Sequence, residues 1–156
     1  MMEESAQRLP HAGEELIAVR IGDQQYAIDI MSVREIRGWT TSTPLPHAPA
    51  HVLGMINLRG AILPVVDLGA RLGVGSSTPS ASSVVVVAQI NDREVGLLVD
   101  AVCDIITVTE GLLQPPPDIG DQAVREFVRG VMTTDEGIVS LLCLSNVLPA
   151  EVAQAA

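Results

Sequence analysis

Two histidines four residues apart, His47 and His51 in HAPAH, have types and spacing that could do chemistry. On a helix that spacing puts two imidazoles on one face, an arrangement suited to zinc. Pro49 sits between them, and no cysteine or further histidine lies near in sequence, so no metal site is expected. The remaining histidine, His11, falls near the N-terminus, and no Ser-His-Asp or Cys-His arrangement can be assembled from the three. Asp67 in PVVDL precedes a short helical pattern and reads as an N-cap rather than as an acid or base. GVGSSTPS is glycine- and serine-rich but lacks the Lys and the strand-to-helix context of a phosphate loop. The expectation is no catalytic residues, no cofactor and no metal. Two charges beside apolar runs are left to explain: Glu35 in VREIRG and Arg59 in NLRGAILPVVDL.

The elements that must position them are strands. The 156 residues are 47% hydrophobic and only 2% aromatic (Tyr26, Trp39 and Phe127), so the core is aliphatic. Its β-branched residues favour pleated sheet. ELIAVRI and QQYAIDI read as a hairpin across Gly22-Asp23, and IMSVREI as a helical turn before another extended run to Trp39. TSTPLPHAPAH is loop; GMINL and AILPVV form a second strand pair across Arg59-Gly60, and LGARLG a short helix closed by Gly73.

The pattern then starts again. An offset of 69 lays Ile90 on Ile21, Val95 on Tyr26, Val102 on Val33 and Asp104 on Glu35 without a gap. An offset of 76 lays GVMTTDEGIVSLLCL on GMINLRGAILPVVDL. The change of offset puts a seven-residue insertion into LLQPPPDIGDQAVRE, where prolines and charges tolerate one. The expected organisation is a flexible tail over 1–13 and an all-β domain over 14–150, with a C-terminal tail over 151–156. Within the domain, a first unit of about 14–73 and a second of about 83–148 flank a linker over 74–82, with strand exchange between the copies left open. A unit of that size buries little surface alone, and small packed barrels would hide its edges, including VVVV at 84–87.

The repeat is also an internal control. Gly54 matches Gly130, which points to a shared backbone requirement. Arg59-Gly60 matches Asp135-Glu136, so the turn does not demand the cation. On the repeat alone, Arg59 is either a solvated turn residue or a contact for a partner. Glu35 has the acidic counterpart Asp104, which favours a shared structural role, and it is also placed to pair with Arg59.

The net charge of −10, with nine scattered basic residues, excludes a nucleic-acid binder and an anionic membrane surface as expected partners. No apolar run approaches the ~18 residues of a membrane helix, and the acidic N-terminus does not resemble a signal peptide. Cys103 and Cys143 lie in apolar runs and are expected as buried free thiols in a reducing cytoplasm.

NLRG-x-x-x-P-V-x-D-L, the upstream VREIRG and the strand set VVVV…VGLLVDAV together resemble the CheW coupling-protein family of bacterial chemotaxis arrays, over about residues 14–150. The phosphotransfer and ATP-binding parts of the related kinase CheA, and the receiver domain of CheV, are not found. The resemblance implies two small SH3-like five-stranded β-barrels packed together, with short helices, and a non-enzymatic adaptor without cofactors. Its implied partners are the regulatory domain of the histidine kinase CheA and the cytoplasmic tips of chemoreceptors. Its implied location is the cytoplasm, recruited to membrane receptor arrays without membrane insertion. The family's receptor-facing positions fall on Val33, Glu35, Arg59, Ile62, Val84, Gly96 and Ile105. Two alternatives are a scaffold of another chemosensory-type pathway, for pili motility or second-messenger output, and a small β-barrel ligand-binding or hydrolytic protein using HAPAH and Asp67.

Overall fold

The computed structural model describes residues 10–40, 42–44, 46–47, 51–74, 79–116, 126–135 and 137–147. The tail up to residue 9, the C-terminal tail, the middle of the linker and most of the inserted loop lie outside the described residues. The described residues form ten strands and a few short helices: β1 (Glu15–Ile21), β2 (Gln24–Asp29), β3 (Val33–Gly38), β4 (Val52–Leu58) and β5 (Ala61–Asp67), then β6 (Val84–Ile90), β7 (Arg93–Val99), β8 (Ala101–Thr107), β9 (Val128–Thr134) and β10 (Gly137–Leu142). A 3-10 turn, Ile30–Ser32, joins β2 to β3; helix α1 (Leu68–Leu72) follows β5, and α2 (Leu144–Val147) follows β10.

The strands make two five-stranded mixed sheets, in the orders β8-β1-β2-β10-β9 and β3-β6-β7-β5-β4. Replacing each strand by its repeat counterpart converts one order into the other. The sheets and the repeats nevertheless divide the chain at different places. The second sheet is the contiguous stretch β3–β7, and the first is made from β1, β2, β8, β9 and β10. Each sheet thus takes strands from both repeats, and the 74–82 linker connects two elements of one sheet. The chain crosses between the sheets at the 3-10 turn and at Asp100. Both crossings are pinned: Met31 N–H donates to Asp29 Oδ1 at 3.0 Å, and Gly22 N–H donates to Asp100 Oδ2 at 2.7 Å.

Three aliphatic clusters fill the molecule. The largest lies between the sheets, combining Ile17, Val19 and Ile28 from one with Val86, Leu97 and Val99 from the other. Each sheet also curls around a smaller interior, Ile56, Leu63, Val85, Val87 and Leu98 in one, and Leu16, Met132, Val139 and Leu141 in the other. Hydrogen bonding does not close the curl into a barrel. Among the described residues no ladder joins β3 to β4 or β8 to β9, and an isolated pair bridges each seam, Thr43 with Met55 and Gln114 with Val131.

The matched glycines mark equivalent β-bulges. Leu53 is the extra residue between Val52 and Gly54, and Arg129 the extra residue between Val128 and Gly130. At Gly54 the requirement is a close approach: an added Cβ would lie 2.4 Å from the Thr43 carbonyl oxygen, which belongs to the pair bridging the seam. A second pair of bulges, at Arg34 and Cys103, corrects one expectation. Cys143 is buried, but Cys103 is exposed, because it is the bulged residue of an edge strand.

The N-cap at Asp67 is present: its carboxylate accepts from Ala70 N–H at 3.3 Å, and Gly73 ends α1 in the left-handed region. Arg71 on α1 donates to the Val147 and Asn146 carbonyls and lies over the Phe127 ring, which ties the helices of the two repeats together.

Two outcomes follow from this topology. Gly54→Ala is expected to cost about 1–3 kcal/mol, because the Cβ forces the seam apart; a urea melt measures it. Cutting the chain near Ser77 leaves no complete sheet in either half. Each half is expected to be unfolded or insoluble alone, and a mixture of the two to regain one cooperative transition. Cooperative melting of an isolated half would contradict this.

Candidate functional site

Residues directly opposite on antiparallel neighbours share a face. Glu35 lies opposite Val87 and Arg37 opposite Val85, so both charged side chains sit on the face that surrounds the β3–β7 interior, at its mouth. From the other side of the seam comes the β4–β5 turn. Arg59 Nη2 donates to Glu35 Oε1 at 2.5 Å, and Arg37 Nη1 reaches Glu35 Oε2 at 3.4 Å. The Glu35 side chain is 22% exposed and that of Arg59 74%. One carboxylate thus carries two guanidiniums, so the mouth has a net positive charge. Because β3 and β4 are the two edges of the sheet, the Glu35–Arg59 pair spans the seam that backbone pairing leaves open.

Arg59 is held in an uncommon conformation. The two-residue turn has positive φ at both positions, 54° at Arg59 and 88° at Gly60. A short hairpin needs this geometry to match strand twist. The Asn57 side chain accepts from Gly60 N–H at 2.9 Å and fixes the turn. A non-glycine residue in this region carries about 1–3 kcal/mol of strain. Asn would be the ordinary occupant, and Arg occupies the position instead.

The second repeat has the equivalent strands and bulges and different charge. Asp104 lies opposite Ala18, facing its own sheet's interior, and the nearby turn carries Asp135. A crevice lined by Ala18, Gln25, Cys103, Asp104, Ile106, Thr134 and Asp135 occupies this mouth. Arg37's counterpart there is Ile106. One mouth is cationic and the other acidic. Apolar exposure is duplicated: Ile36 and Ile62 project beside the first mouth at 46% and 66%, and their counterparts Ile105 and Ile138 beside the second at 52% and 70%.

The seven positions singled out from sequence separate accordingly. Glu35, Arg59 and Ile62 come together at the first mouth. Val33 and Val84 are half-buried at the rim of the inter-sheet core. Ile105 is exposed on the edge strand of the other sheet. Gly96 is buried and is a steric position rather than a surface one, since an added Cβ would lie 2.8 Å from Val85 Cγ1. Sequence reasoning missed Arg37 and Ile36, although their alternation with Glu35 in VREIRG carried the signal. His47 lies in an exposed turn, and the His51 carbonyl accepts from Asp67 N–H at 2.7 Å. Among the described residues no group of three or more His, Cys, Asp or Glu side chains could hold a metal, and no helix is long and apolar enough to cross a membrane.

Residues 15–152 match the model of the CheW-like domain family. The chain is 52% identical over 155 residues to the chemotaxis protein CheW of Rhizobium meliloti, covering 99% of this chain and 100% of that one. It is 51% identical over 141 residues to a probable chemotaxis protein CheW of Rhizobium etli, covering 90% and 91%. The crystal structure of the scaffolding protein TtCheW from Thermoanaerobacter tengcongensis superposes with a TM-score of 0.75 at 32% identity, covering 83% of this chain and 88% of that one.

Exposed ion pairs contribute about 0–1 kcal/mol, which is no more than the strain at Arg59. Arg59→Asn is therefore expected to leave stability unchanged or raise it by up to about 1 kcal/mol. A loss well beyond that in a urea melt would show that the ion pair is needed to keep the seam shut.

Proposed function

The chain belongs to the CheW-like domain family, and from that membership we propose that the mouth of the β3–β7 sheet receives the tip of a chemoreceptor while the barrel ends engage the kinase CheA. A chemotaxis scaffold of this family is a non-enzymatic adaptor. Its work is therefore binding, and its specificity lies in surface chemistry.

The observation that carries the proposal is the contrast between the two mouths. The backbone requirements are duplicated and the charge is not. The corresponding turn position carries Asp135 in one copy and a strained, ion-paired Arg59 in the other. Glu35 orients the guanidinium and leaves it mostly exposed. An amphipathic receptor helix would bury apolar side chains against Ile62 and the Val33 and Val84 rim. Its acidic side chains would meet Arg59 and Arg37, which sets register. Ile105, across the inter-sheet core, would extend the contact, and Gly96 would keep β7 close to its neighbours. The adaptor would work in the cytoplasm and be recruited to membrane receptor arrays. Another chemosensory-type pathway, governing pili motility or second-messenger output, is the alternative setting for the same surface.

The direct test is a pull-down with a receptor tip fragment and a CheA regulatory domain from the same organism. Binding to neither would overturn the proposal. Within it, Arg59→Glu is expected to fold with stability changed by about 0.5 kcal/mol or less. It keeps a long side chain in the same strained turn but places two acids face to face. Its affinity for the receptor fragment should fall at least about tenfold, as for a reversed interfacial charge. Glu35→Arg combined with Arg59→Glu should recover part of that loss, and the double-mutant cycle gives the coupling. Unchanged receptor affinity in Arg59→Glu would return the residue to an ordinary solvated turn.

A further inference from the structure

The two parallel ladders at the heart of the sheets differ by two residues. In one sheet β10 pairs with β2 through Val139–Gln25, Ser140–Tyr26 and Leu141–Ala27. The equivalent pairs in the other sheet would be Leu63–Glu94, Pro64–Val95 and Val65–Gly96. Only the last forms, and the ladder runs the other way, through Val66–Leu97 to Asp67–Leu98. The strands part at Pro64, where the second repeat has Ser140.

The hairpin register shows why. Leu58 and Ala61 flank a two-residue loop, so they are a hydrogen-bonded pair, and hydrogen-bonded pairs alternate along the hairpin. Met55 and Pro64 are then a non-hydrogen-bonded pair, and their backbone polar groups point away from each other. Met55 conforms, since its N–H and carbonyl both bond to Thr43 on its outer side. The nitrogen of Pro64 therefore faces β7, and proline has no N–H to offer there. Beyond this point β5 and β7 enclose a groove of about 280 Å³, lined by Ala61, Ile62, Leu63, Pro64, Arg93, Glu94 and Val95.

We propose that Pro64 is a positioning residue whose missing N–H stops the β5–β7 ladder and holds this groove open for apolar side chains of the receptor helix. The inference rests on the receptor-binding reading above, and the groove is continuous with that surface. Ile62, 66% exposed beside the Arg59 turn, forms one bank. The floor reaches Val95, adjacent to Gly96, where pairing begins. Arg93 and Glu94 on the far bank present both signs of charge, suited to a helix of mixed surface charge.

The test uses the full chain with Pro64→Ser, which installs the residue of the second repeat. The ladder should extend by two pairs, seen as slowed hydrogen exchange at the residue 64 amide. The melting temperature should hold or rise, and affinity for the receptor tip fragment should fall at least about tenfold. Binding of the CheA regulatory domain serves as the control for fold. A protected residue 64 amide with undiminished receptor affinity would overturn the proposal, and so would an amide that stays unprotected. Ala61→Leu, which fills the groove without touching the ladder, should weaken receptor binding likewise, and it decides the matter if Pro64→Ser does not fold. Failure of the wild-type chain to bind the receptor fragment would instead overturn the reading on which the named occupant rests.

Discussion

An aliphatic interior that neither sheet can complete alone governs this structure. Ile17, Val19, Ile21 and Ile28 on one sheet meet Val86, Ile90, Leu97 and Val99 on the other, all nearly inaccessible to water. Each such side chain contributes about 1.5–3 kcal/mol when buried. A sheet standing alone would expose that whole face. With a single Tyr and a single Phe in this interior, packing depends on branched side chains interlocking on pleated surfaces. The other features follow from that arrangement: two sheets of identical strand order, each curled around a smaller cluster of its own, each left open at one seam.

The open seam is where the two repeats differ. Both copies keep the bulges, the bridging residue pair and the exposed isoleucines, which are demands of the backbone and of the surface they share. They differ in what stands across the seam, Glu35 with two guanidiniums in one and Asp104 near Asp135 in the other. An exposed ion pair adds little stability. Its effect is to fix where a long side chain points, here a guanidinium that stays mostly exposed on a strained turn.

Much of the local structure was legible in the sequence. Hairpins across Gly22-Asp23 and Arg59-Gly60 announce themselves because turn chemistry and alternation act over a few residues. The duplication was legible because the hydrophobic pattern repeats without a gap within each block. The assignment of strands to sheets was not, because the β10–β2 and β5–β7 pairings are parallel and distant in sequence. Cys103 was misread because a bulge changes which side a residue faces, and an apolar run does not show where the bulge falls. At the site, the Glu35–Arg59 pairing followed from charge and proximity in the repeat. The positive φ at Arg59 itself did not, since Gly60 was the obvious candidate for it. Gly96 shows a limit of carrying positions over from a family: a place on the list does not distinguish a contact from the packing beneath it.

The two short crossings, the Ile30–Ser32 turn and Asp100, have a mechanical consequence. Barrels joined end to end by a loose tether could swivel, and whatever they held would be held at no fixed angle. Here the chain leaves one sheet over three residues, builds the whole of the other, and returns through a single residue. Opening an angle between the sheets would tear strands from ladders on both sides. A piece built this way is a bracket rather than a hinge: it would pass a push on one sheet to the other as displacement instead of absorbing it in between.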